Sequence, residues 1–203
     1  MENNRKFIGL KDVILVTLLT AICLVIVTLV VLPFATNITL VLWVVSGLDM
    51  LLCGPIYMLV AAKAPRHGTQ LLFSAIFAIY YFVTNGTILI SIIILAVGII
   101  RELMMLGNGF KSYVRLTAAF ALFGVGVMFA PIIMLWTTKE QLIAAVIANG
   151  LTREYAESAF SVYSPVNIAI GTVVTIIGAI LGCFLGYRML KKHFAPAGIV
   201  DAA

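Results

Sequence analysis

Six apolar runs, each close to the length a helix needs to cross a bilayer, take up most of this chain. They cover residues 13–34, 38–62, 69–84, 87–106, 116–136 and 166–187. A bilayer core is spanned by about 20 residues of helix. Inside lipid only helices and closed barrels satisfy every backbone N–H and C=O. The period-two alternation of a barrel strand is absent. The expected fold is therefore all-α: one membrane domain over 1–203, an integral bundle of six transmembrane helices.

Composition supports the bilayer as solvent. The chain has 203 residues, of which 63% are hydrophobic and 10% charged. A soluble domain is roughly half apolar and a quarter charged, so this chain has too few polar side chains to cover a globule in water. The net charge of +5 does not point to nucleic acid, because the cations stand at the ends of apolar runs and form no patch interleaved with aromatics. The first run is too long for the apolar core of a signal peptide, and Leu32-Pro33-Phe34 offers no small-x-small cleavage site. It is expected to remain as the first helix.

The connections are legible. Pro33 ends the first run and Ala35-Thr36-Asn37 turns the chain. Gly54-Pro55 predicts a kink in the second. Lys63 to Gly68 makes a basic turn, and Gly107-Asn108-Gly109 is a further turn, followed by Lys111 and Arg115. The segment 137–164 is the only long loop; Thr138 to Gln141 reads as a capping box opening a short helix, with Asn149-Gly150 stopping it and a second short helix between Thr152 and Phe160. Arg5, Lys6, Lys11, Lys63, Arg66, Arg101, Lys111, Arg115, Arg188, Lys191 and Lys192 fall on the side of the N-terminus, against Lys139 and Arg153 on the other. This asymmetry predicts that both termini are cytoplasmic.

Few residues stand out chemically. Asp49 is the only carboxylate deep within an apolar run, where a charge is expensive unless it faces the bundle or a wet cavity. Asn37, Asn85 and Asn167, with Trp43, Tyr80, Tyr81, Trp136, Tyr155 and Tyr163, form an outer layer of amides and aromatics. It reads either as an interfacial aromatic belt or as the wall of a ligand pocket. Gly178, Gly182 and Gly186 lay a flat strip along the last helix, for internal packing or for docking on another membrane subunit. Thr17 and Ala21 make a weaker strip on the first. Arg101 and Glu102 are expected to snorkel or to pair with neighbours. Cys23, Cys53 and Cys183 read as small apolar fillers, and the methionines as packing rather than metal ligands. No metal and no cofactor is expected. No phosphate-binding loop is present, since Gly109-Phe110-Lys111-Ser112 lacks the Gly before Lys, and there is no H-E-x-x-H or G-x-S-x-G.

Several stretches together resemble a known family. They are residues 9–22 (GLKDVILVTLLTAI), Gly54 to Met58 leading into Lys63 to Thr69, and Leu185-Gly186 through Lys191-Lys192-His193-Phe194 to Ala197-Gly198-Ile199. In them the chain resembles the substrate-specificity (S) components of energy-coupling factor (ECF) transporters, in particular the Trep_Strep subfamily. The resemblance implies a six-helix protein of the bacterial cytoplasmic membrane that captures a vitamin or other micronutrient from outside. Its partners would be a transmembrane coupling subunit and two cytoplasmic ATPases. Thr17 and Ala21 match the small-residue positions with which the family's first helix contacts the coupling subunit. The family's ligand position, near the outer surface among later helices and outer loops, favours Asn85, Trp136, Tyr155, Tyr163 and Asn167. An aromatic, amide-rich wall suits a flat heterocycle such as a vitamin, a modified base or a tetrapyrrole. The competing readings are a small intramembrane enzyme, which lacks a second catalytic group beside Asp49, and a membrane scaffold or sensor without ligand. The expectation is a binding protein, not an enzyme.

Overall fold

The computed structural model describes residues 7–85, 87–148, 150 and 152–194. They form helices joined by short turns, with no strand among them. The long helices are α1 (Leu10–Val31), α2 (Ile38–Lys63), α3 (Thr69–Asn85), α4 (Ile88–Met104), α5 (Tyr113–Thr137) and α8 (Pro165–Met189). Two short helices, α6 (Lys139–Ala148) and α7 (Arg153–Ser161), occupy the long connection. Four helices, α1, α2, α5 and α8, are long and apolar enough to cross a membrane. α3 and α4 have 17 residues each, or about 25 Å at the helical rise.

Local chemistry opens most of these helices. The Asn37 side chain accepts from Leu40 N–H at 3.2 Å, Ser112 from Arg115 N–H at 3.3 Å, and Ser164 from Asn167 N–H at 3.3 Å, with Pro165 in the first turn. Each satisfies one of the amides left open at a helix start. At α1 the Asp12 carboxylate reaches back to Gly9 N–H at 2.9 Å. At the start of α6 the Thr138 hydroxyl donates back to Met134 C=O at 2.8 Å. After α6, Gly150 takes a positive φ of 82°, the left-handed conformation that glycine adopts without penalty. α2 runs on through Pro55 and contains a π turn over Val41–Val45.

The closest packing joins α2 to α8 backbone to backbone. A Cβ on Gly182 would lie 2.5 Å from the Met50 carbonyl oxygen and 2.7 Å from that of Leu51. One on Gly171 would lie 2.6 Å from the Leu42 oxygen, one on Gly178 would run into the Gly47 carbonyl, and one on Gly186 would lie 2.7 Å from Pro55 Cα. The glycine strip of α8 is thus filled by α2, and this internal contact occupies the face that could otherwise have docked on another subunit. α1 behaves oppositely. Only 22% of its apolar stretch is buried, against 56% for α2. Val16, Thr20, Cys23 and Val27 form its inward stripe, while Ile14, Thr17, Leu18, Ala21, Val25 and Leu29 face outward.

The start of α1, the α2–α3 turn, the α4–α5 turn and the end of α8 gather at one end of the bundle. There Ile8 N–H donates to His67 C=O at 3.1 Å, Arg66 pairs with Asp12, and the Tyr113 and Tyr187 rings lie 5.2 Å apart. Glu102 does not snorkel. Its carboxylate accepts from Gly68 N–H at 2.7 Å, Gln70 N–H at 3.1 Å and Leu71 N–H at 3.3 Å, so α4 caps α3. A carboxylate at a helix N-terminus is favoured by both the free amides and the helix dipole.

Two outcomes are expected. Gly182→Leu forces a side chain into the α2 backbone and destabilises the fold by several kcal/mol, beyond the usual overpacking cost of about 1–3 kcal/mol. Loss of the monodisperse peak on size exclusion in mild detergent checks it. Glu102→Ala uncovers the start of α3 and lowers stability by about 1–2 kcal/mol, read as a lower melting temperature.

Candidate functional site

A cavity of about 350 Å³ lies among α1, α2, α3, α4 and α5 in the half of the bundle away from the basic end, with Ile90 as the α4 contribution. Val27 and Val31 close it from α1, and Tyr80, Tyr81 and Thr84 from α3. Gly124, Met128 and Pro131 form the α5 wall, and Tyr163 reaches in from the turn before α8. The α2 wall starts at Ile38, passes through the π turn with Val41, Leu42 and Val45, and continues through Ser46 and Asp49 to Met50. Insertions of this kind in a helix recur at functional sites. The volume is at the lower end of the range for small-molecule pockets.

Asp49 stands 11 positions beyond Ile38, about 16 Å along the helix, so the cavity reaches from the end of the bundle to near its middle. The side chain is buried, with 8% exposure. Its Oδ1 has no hydrogen-bond partner. A buried acceptor left unpaired costs about 1–3 kcal/mol, more when the group is charged, so this site is poised to gain from a ligand that brings a donor. Around it the wall is aromatic and aliphatic. Tyr80 and Tyr81 meet edge to face with ring centroids 5.4 Å apart. The Tyr80 hydroxyl is tied to Thr28 of α1 at 2.8 Å, which holds the α1 wall against α3. Burial raises the pKa of Tyr163, keeping that phenol neutral.

Of the residues expected at a pocket, Asp49, Tyr80, Tyr81 and Tyr163 are brought together. Others are not. Trp136 is 58% exposed on α5, as suits an aromatic at a membrane interface. Trp43 packs with Leu42, Met128, Ile132 and Ile168 beside the cavity rather than on its wall. Asn167 holds the turn before α8, its amide donating to Val162 C=O at 2.8 Å. Asn85 and Tyr155 sit on helices by backbone, but their side chains lie outside the described residues. The α1 and α5 walls carry no sequence signal, because an apolar residue facing a cavity reads the same as one facing lipid.

A second buried polar centre was also illegible. Arg101 is fully buried and not snorkelled. It donates to Ser74 Oγ and Gln70 Oε1, each at 2.7 Å. Its guanidinium carbon lies 4.5 Å from the Phe123 ring centroid, 5.3 Å from Phe73 and 5.4 Å from Tyr57. Among the described residues it forms no ion pair. Cation–π attraction strengthens where water is excluded, so rings from α2, α3 and α5 together replace a counter-ion. This centre ties four helices together and lies outside the cavity wall. No group of three His, Cys, Asp or Glu able to hold a metal occurs among the described residues.

A family model described as a hypothetical bacterial integral membrane protein (Trep_Strep) matches residues 10–195. No curated protein and no solved structure matches the chain.

Arg101→Lys keeps the charge but loses the planar fork that serves Ser74 and Gln70 at once. It is expected to destabilise the bundle by about 1–3 kcal/mol, measured by thermal melting in detergent. Tyr80→Phe removes the tie to Thr28 and should cost about 1 kcal/mol in the same assay.

Proposed function

We propose that this chain, which belongs to the Trep_Strep family of bacterial integral membrane proteins, is the substrate-binding membrane subunit of an importer of the energy-coupling factor type. The observation that carries the reading is the cavity with Asp49 at its inner end, a buried carboxylate oxygen without a partner in an aromatic pocket. Such a site binds a small molecule; it supplies no motive force. The chain also has no phosphate-binding loop, so energy for uptake would come from partner ATPases through a coupling subunit. In this reading all six long helices cross the membrane, the basic end faces the cytoplasm in line with the charge asymmetry, and the cavity opens outside. The ligand is a micronutrient of one compact ring system, because a cavity of about 350 Å³ is small for a tetrapyrrole.

The outward face of α1 supports a membrane partner. Thr17 and Ala21 are exposed there, and small residues on an exposed helix face allow a second helix to approach closely. A binding role is favoured over catalysis, since among the described residues Asp49 is joined on the cavity wall by tyrosines alone among titratable groups, with no His, Cys or second carboxylate beside it.

Native mass spectrometry of the protein, purified with co-expressed coupling and ATPase subunits, tests this reading. A complex with those subunits, or a retained small molecule, is expected; a bare monomer under every condition would sink it. Ala21→Trp should abolish assembly with the coupling subunit while leaving the melting of the isolated protein within about 0.5 kcal/mol of wild type, as for an exposed position. Unimpaired assembly would remove this face of α1 as the docking surface.

A further inference from the structure

Among the described residues Asp49 is the sole acidic group on the cavity wall, and no Lys, Arg or His lines it. This one-sided charge narrows what the cavity can hold. An anionic ligand, whether carboxylate or phosphate, would meet a carboxylate and find no cation to offset its own desolvation. A neutral apolar ligand would leave the Asp49 oxygen as unpaired as it is in the empty cavity. A ligand with a positively charged N–H group resolves both problems, giving the carboxylate a charge-assisted hydrogen bond of the stronger kind.

The remaining wall favours the same charge. Tyr80, Tyr81 and Tyr163 bring three phenol rings to the cavity, and ring faces carry negative potential that attracts cations, most strongly where water is excluded. Ser46 already donates its hydroxyl proton to Leu42 C=O at 3.2 Å. Toward the cavity its oxygen therefore offers lone pairs, so it accepts from a ligand rather than donates to it. An inorganic cation is disfavoured: one carboxylate in an aliphatic and aromatic wall falls short of the six or more oxygens that a hard cation such as calcium requires.

We propose that the cavity selects an organic cation, a single flat ring bearing a protonated amine or amidine-like N–H group that pairs with Asp49. This rests on the reading of the Asp49 cavity as the ligand-capture site. The ring lies among Tyr80, Tyr81 and Tyr163, and the charged group points toward the middle of the bundle.

Three probes of one size and one ring separate the alternatives: benzamidine (cationic at neutral pH), benzamide (neutral) and benzoate (anionic). Binding is measured on the purified chain in mild detergent, by ligand-observed NMR and by the shift in melting temperature. Benzamidine is expected to bind at least about tenfold tighter than benzamide, the size of effect one charged hydrogen bond provides, with benzoate weakest. Asp49→Asn, of nearly the same shape, should remove that preference while leaving the ligand-free melting temperature near wild type. If benzamide or benzoate binds as well as benzamidine, or if none of the three binds at millimolar concentration, the proposal is overturned. The wild-type comparison decides the matter even if the variant misfolds. Because binding is read on the chain alone, the two readings fail separately. A cation preference without assembly or uptake removes the importer and leaves the ligand class; equal binding of all three removes the ligand class and leaves capture intact.

Discussion

A bilayer offers no water to a buried polar group, so this protein must satisfy such groups from within, and much of its interior follows from that constraint. Thr20, Thr28, Thr172 and Thr175 each return a hydroxyl to the carbonyl four residues earlier in their own helix. Ser74 does the same and then accepts from Arg101. The guanidinium, which forms no ion pair among the described residues, meets aromatic faces and two side-chain oxygens, and its Nε has no partner there. Glu102, one residue on, spends its charge on the open amides of α3. Among the described residues, buried atoms of Trp43, Gln70, Arg101, Thr117 and Asp49 are left without a partner, and of these the Asp49 oxygen alone lines the cavity. It occurs where the helices part to leave a cavity, which is why the site reads as a place for a ligand and not as a packing accident.

The bundle divides its labour between two kinds of helix contact. α2 and α8 are fused through glycines with carbonyls lying where side chains would otherwise be, a contact available only to residues without a Cβ and stabilised by dispersion at close range rather than by expulsion of water. That contact fixes the α2 wall of the cavity. α1, by contrast, lies at the periphery, gives the cavity only Val27 and Val31, and presents most of its surface outward. In the proposed reading, the glycine-packed half would hold the ligand groups and the peripheral α1 would meet a partner.

The candidate site was half legible. Asp49 announced itself because a carboxylate in an apolar run has few innocent explanations. Tyr80, Tyr81 and Tyr163 were indicated by type and depth, but the same criteria also picked out Trp43, Trp136 and Asn167, which serve packing, the membrane interface and a turn. Depth along a helix is readable from sequence, whereas azimuth is much harder to read when both the cavity side and the lipid side are apolar. In a soluble protein the polar face would have fixed the rotation; in α1 and α5 no such face exists.

From the residues alone came the solvent, the helical class, the helix ends to within a few positions, and the glycine strip, because each depends on run length, local capping or spacing within one segment. Tertiary structure decided which polar groups are satisfied. The cap of α3 comes from Glu102, up to 34 residues away, and the partners of Arg101 from 27 and 31 residues away. The open valence at Asp49 Oδ1 exists because the helices that meet around the cavity bring it no donor among the described residues. No local pattern reports an absence of that kind: it is a property of the assembled bundle, set by which faces the helices turn toward one another.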